Sequence, residues 1–217
     1  MAQGENMNNR EHDFKPLYFG IMIGLNTSQY KIFHDDFFVQ YDSIKEITPL
    51  WKPGFQLGIA ANLRISNFID VRTVPSFVLR EKSVRYRFPK PGREDSIKVN
   101  NYESILFSWP FEFKFKSDRQ ENFRFYALAG GKLDYDFNSS VSKRRTDELL
   151  RVRPLDFGYN LGVGFEFYFP NFILAPEIKL SQGLRNILIK DANDEQTAKA
   201  VERINTRMIM FSLFIQG

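Results

Sequence analysis

Apolar and polar residues alternate with a period of two along most of the chain. In Leu155–Phe169 one parity reads Leu155, Phe157, Tyr159, Leu161, Val163, Phe165, Phe167 and Phe169. The other reads Asp156, Gly158, Asn160, Gly162, Gly164, Glu166 and Tyr168. Successive side chains of a strand point to opposite faces, so this segment is a strand with one apolar face and one small or polar face. Phe107–Phe115 repeats the pattern, with Phe107, Trp109, Phe111, Phe113 and Phe115 against Ser108, Pro110, Glu112 and Lys114. Phe55–Ile65 repeats it again. Weaker versions occupy Leu17–Asn26, Phe68–Arg80, Phe123–Phe137, Phe172–Ser181 and Thr206–Ile215. A tilted membrane-crossing strand needs roughly 9–11 residues, a length these eight segments reach.

The connections alternate as strictly as the residues. Ser66-Asn67, Ser117–Asn122 and Pro170-Asn171 are short, whereas Thr27–Pro53, Glu81–Glu103, Asn138–Pro154 and Gln182–Asn205 are long. Outer-membrane barrels have short periplasmic turns and longer outside loops. The expectation is an all-β fold: an eight-stranded antiparallel up-and-down transmembrane β-barrel over residues 17–217, preceded by a periplasmic N-terminal tail over 1–16. An even strand count then leaves both termini in the periplasm. A soluble barrel also alternates, but its wet face is the outer one. Here the polar parity is rich in glycine and in charges of alternating sign, which suits a crowded polar lumen better than a solvated surface.

Composition removes several other classes. Mean hydropathy is −0.36, and the charge-free segment Leu17–Tyr30 already contains Asn26, Thr27, Ser28 and Gln29. A spanning helix needs about 20 apolar residues, so helical spans are excluded. The chain has no cysteine, which excludes disulfide frameworks, Cys-ligated zinc and thiol catalysis. Its 30 basic and 26 acidic residues are interspersed, so no nucleic-acid footprint is present. Met1 to Phe14 is polar, and the chain reads as one whose export signal has been removed. Asn193–Glu202, with its early acids and Glu195 four residues before Lys199, predicts a short helix in the last loop.

The candidate chemistry lies on the polar parity. Asp70, Arg72, Glu112, Lys114, Glu166, Glu177 and Lys179 read as a structural salt-bridge network filling a narrow lumen; Arg80, Lys116 and Arg124 share that parity. Their alternative role is an ion or substrate path. With eight strands the interior is only wide enough for side chains to fill, which favours the network. Arg85, Arg87, Lys90 and Arg93, with Lys143, Arg144 and Arg145, are placed in outer loops, where they could meet lipid or lipopolysaccharide phosphates or an acidic partner. Only two histidines are present. His12 falls in the tail, expected to be mobile, and His34 stands beside Asp35 and Asp36 in the first long loop, where a solvated cluster is the plainer reading. Hydrolytic nucleophile and zinc-helix motifs are missing, so no catalytic residue, metal or cofactor is expected.

Longer stretches carry a resemblance. GFQLGIAANLRISNFIDVRTVPSFVLREKSVRY (Gly54–Tyr86), YFGIMIGLN (Tyr18–Asn26), FEFKFKSDRQENFRFYALAGGKLDYDF (Phe111–Phe137), LGVGFEFYFPNFILAPEIKLSQGLRN (Leu161–Asn186) and RINTRMIMFSLF (Arg203–Phe214) cover most of the chain. In these the chain resembles the PorT family, called SprT in gliding bacteria. The resemblance implies an outer-membrane barrel of the type IX secretion system, acting in protein export, gliding or surface display beside other components of that system. It brings no catalytic residues. A small-solute channel and a surface adhesin or loop-borne enzyme remain the rival readings.

Overall fold

Strand formation follows the alternation, and the sheet closes on itself. The computed structural model describes residues 7–34, 46–50, 52–88, 96–138, 153–189 and 201–217. After a short 3-10 helix at Arg10–Phe14 come β1 (Leu17–His34), β2 (Glu46–Leu50), β3 (Lys52–Arg64), β4 (Ile69–Thr73) and β5 (Ser76–Phe88). β6 (Ser96–Lys116), β7 (Phe123–Asp136), β8 (Leu155–Tyr168), β9 (Ile173–Gly183) and β10 (Val201–Gln216) complete the wall. All ladders are antiparallel, and β1 pairs with both β10 and β3, closing the barrel. β4 and β5 form one stave broken at Val74-Pro75, where proline has no amide to give. β2 and β3 share another, since β2 and β3 both pair with β5. The staves number eight.

The faces are inverted relative to a water-soluble barrel. Along β8, Leu155, Leu161, Val163 and Phe167 stand 40–47% exposed on the outer wall, while Asn160 and Glu166 are 1% exposed in the lumen. The same holds in β6, where Phe111, Phe113 and Phe115 point outward and Glu112 and Lys114 are buried. A continuous apolar wall of this extent is stable only against lipid.

Two expectations about the connections are corrected. The strands continue past the apolar belt, so the segment read as a loop over Thr27–Pro53 contains the end of β1 and all of β2, and Glu81–Glu103 contains the end of β5 and the start of β6. Beyond the lipid the outer face has no need to be apolar, so Ser83–Phe88 and Ser96–Asn101 go on pairing although the parity of Phe77 and Leu79 now carries Ser83, Arg85 and Arg87. Arg85 and Arg87 consequently lie on β5 rather than in a loop. Lys90, Arg93, Lys143, Arg144 and Arg145, with Asp35 and Asp36, lie outside the described residues. So does the expected helix at 193–200, while Val201 and Glu202 belong to β10.

Candidate functional site

The lumen is packed with side chains in tiers. Every second residue of each strand points inward, which delivers seven buried cations and seven buried anions among the described residues. At mid-height Arg72 of β4 is fully buried between two carboxylates. Its Nη1 donates to Glu177 at 2.7 Å, and its Nη2 and Nε donate to Glu112 at 2.8 and 3.1 Å. Lys179 donates to Glu112 at 3.0 Å, Asn160 Nδ2 to Glu112 at 2.9 Å, and the Tyr126 hydroxyl to Glu177 at 2.8 Å. Each charge is thus met by opposite charge and by further hydrogen bonds, the condition under which buried ions are tolerated. Tyr126 reaches Glu177 by lying over Gly164, where an added Cβ would meet its ring at 2.4 Å. Only glycine leaves that room.

Toward the short turns, Lys114 donates to Glu166, which also accepts the Tyr168 hydroxyl at 2.7 Å. Lys116 and the Tyr18 hydroxyl donate to Asp70 at 2.6 and 2.7 Å. Toward the long loops, Arg80 and Ser104 share Asp136, Lys132 and Ser108 share Asp134, and Thr206 donates to Asp156. Two apolar clusters fill the spaces between: Met22, Val74, Leu128 and Phe214 with their neighbours, and Val78, Leu106, Met208 and Met210. All seven sequence-selected lumen residues therefore lie inside the barrel and pair with one another or with Lys116. Sequence parity already names Arg80 and Tyr168, whereas Tyr18, Tyr126, Lys132, Asp134 and Asp136 are not singled out, although their parity is the available signal.

The mouth at the short-turn end is closed by the chain's own N-terminal segment. His12 is 1% exposed and packs edge-on against Tyr18, ring centroids 4.4 Å apart, with Tyr168 at 6.2 Å. Asp13 pairs with Arg119 at 2.8 Å and with Arg124 at 3.4 Å, and its carbonyl accepts from Arg64. The Arg119 guanidinium lies 3.7 Å over the Tyr168 ring and also donates to the Asn8 carbonyl. Arg119 Nε donates to the carbonyl of Glu121, which holds a left-handed φ of 53°, so the turn itself aims this arginine. The expectation of a mobile tail at His12 is corrected: two tyrosines supply a ring-sized slot that a composition-based reading of a polar tail does not register.

Comparison with known proteins now decides the class. The family described as outer membrane protein beta-barrel domain matches residues 1–188. The chain belongs to this outer membrane barrel family. No curated protein matches it in sequence. Among solved structures, the outer membrane protein OprG from Pseudomonas aeruginosa superposes with a TM-score of 0.50 at 12% identity, over 93% of this chain and 94% of that one. Ail, the attachment invasion locus protein of Yersinia pestis, gives 0.41 at 14% identity, over 94% and 100%. The outer membrane protease OmpT from Escherichia coli gives 0.43 at 11%, over 92% and 95%. At these identities the likeness concerns the fold alone.

Burial pushes the imidazole of His12 in this outer membrane barrel down from 6.5 to about 4, the Glu166 and Asp13 charges opposing the shift and Arg64 and Lys15 adding to it. Docking therefore requires neutral His12. A released segment titrates near its ordinary value, so docking is at full strength above about pH 6.5 and weakens as pH falls toward 4. Between pH 7.5 and 5.5 the docked state should weaken about tenfold. Hydrogen exchange of the 9–15 amides, corrected for intrinsic rate, should show that loss in the parent chain and a flat profile in His12→Phe.

Proposed function

We propose that this outer membrane barrel is a sealed, non-enzymatic component of the type IX protein secretion machinery, working through its surfaces on larger translocon proteins. The observation that carries the reading is the lumen: among the described residues seven buried cations and seven buried anions, with the mid-height and short-turn charges ion-paired and apolar clusters between the tiers, fill the space a solute would need. A channel needs mobile water and sites that release their ion, and fully satisfied buried pairs offer neither. The sequence resemblance to the PorT family supports the assignment to type IX secretion, with gliding or surface display as its consequences. The alternation of connection lengths supports an orientation with both termini in the periplasm and the long loops outside, where the basic residues Arg93 and Lys143–Arg145 can meet lipopolysaccharide phosphates or a partner's acidic surface.

On this reading recognition resides in the loops. Shortening Asn138–Pro154 should abolish export of signal-bearing cargo, read as loss of surface-exposed cargo, while the barrel still inserts at normal abundance. Replacing His34, Asp35 and Asp36 together by Ala should leave export near the parent level. If that triple change stops export in a folded barrel, the first loop carries a metal or chemistry and the reading fails.

A further inference from the structure

The segment that closes the short-turn mouth fits it incompletely. Both ring nitrogens of His12 are buried without a hydrogen-bond partner, as are Asp13 Oδ1, Nε and Nη2 of Arg64 and Nε of Arg124. Arg124 is 9% exposed, so its guanidinium gains little from water in compensation. Beside these arginines lies a cavity of about 290 Å³, lined also by Asn67, Ser117 and the one further carboxylate Asp118, whose charge the two arginines outnumber. Phe14, the next residue of the segment, borders this cavity while 85% exposed, so it covers little of it. Buried donors left unpaired weaken the state that buries them, so a ligand spending them displaces one that does not.

The remaining contacts are those of a peptide site. Asn8 donates its amide to Asn122 Oδ1 at 2.7 Å and its side chain to the Tyr168 carbonyl at 3.1 Å. The Tyr18–Tyr168 slot takes a ring, Arg119 and Arg124 take the carboxylate that follows it, and the free N–H groups of Arg64 and Arg124 border the unfilled space. Guanidinium groups beside one another select carboxylates through charge-assisted hydrogen bonds.

We propose that the short-turn mouth is a binding site for an acidic peptide with an imidazole or aromatic ring immediately before an aspartate and a second acid directly after it. The chain occupies this site in cis with its own residues 8–14, and a segment of another protein takes it in trans when they leave. The cis segment thereby acts as a built-in competitor that sets how readily a partner is engaged. The location of that partner in the periplasm rests on the orientation proposed above; the site itself does not.

The test uses the full chain in detergent micelles at pH 7.5 and two fluorescent peptides. One copies residues 8–15, and the other carries Glu in place of Phe14. In anisotropy titrations the first should bind His12→Ala/Asp13→Ala chain at least tenfold more tightly than parent chain, because the cis competitor has been weakened. The Glu-bearing peptide should bind that variant more tightly again, and adding Arg124→Met should cancel the gain. Arg124→Met lies in the wall, so folding is verified by heat-modifiable gel mobility; the comparison between the two peptides on the double variant needs no wall substitution. Equal binding of the first peptide to parent and double variant, or no preference for the Glu-bearing peptide, overturns the proposal. Failure of export in the loop experiment would leave these outcomes unchanged, so the two readings fail separately.

Discussion

Arg72→Met should destabilise the barrel by about 3–5 kcal/mol, the scale of breaking a buried ion pair by removing one partner. Arg72 is wholly buried and bridges Glu112 and Glu177 with four hydrogen bonds of 2.7–3.1 Å. Without it, the two carboxylates share Lys179, which lies 3.0 Å from Glu112 and 3.7 Å from Glu177. Reversible urea unfolding in lipid vesicles gives the free energy, and the semi-native gel gives the loss of heat resistance. Combining Arg72→Met with Glu177→Leu should cost less than the sum of the two, since the second change removes a charge that the first left uncompensated. Additive losses would mean that these residues do not act as one network.

Leu161→Arg should cost about 2–4 kcal/mol, because the change places a charge near the middle of the lipid-facing wall. Leu161 lies halfway along β8 and is 47% exposed. On a water-soluble barrel a charge at so exposed a position would be harmless, so the sign of the result separates the two environments directly. Unfolding in vesicles measures it. A neutral effect would contradict a membrane-spanning outer wall.

The fold was legible because two periodicities agreed. The Phe, Leu and Ile parity of β6 and β8 and the short-long alternation of connections each imply a barrel with an apolar exterior. Strand ends were less legible: Arg85 and Arg87 continue the ladder of β5, but there Val84, Tyr86 and Phe88 fall on the opposite parity to the outward Phe77 and Leu79, so the outer-face signal is lost. The lumen charges could be chosen by parity alone, yet their partners could not, since Arg72 meets Glu112 across one ladder and Glu177 across the barrel. Tyr126 illustrates the remaining gap, because its reach to Glu177 depends on the absent side chain at Gly164, three-dimensional information that no single strand contains. The docking of His12 was illegible for the same reason. Its slot is built from Tyr18 and Tyr168, which stand on β1 and β8, far apart in the sequence.

The central claim is that the lumen is sealed and that the barrel acts as a scaffold. The most direct measurement is planar-bilayer recording of the purified full chain at pH 7.5, with insertion verified by heat-modifiable mobility. The account predicts a silent bilayer at moderate voltage, both for the parent chain and for His12→Ala/Asp13→Ala, because the Arg72–Glu112–Glu177 tier closes the lumen independently of the mouth. A steady, voltage-ohmic conductance in the parent chain would contradict it and would make the barrel a channel.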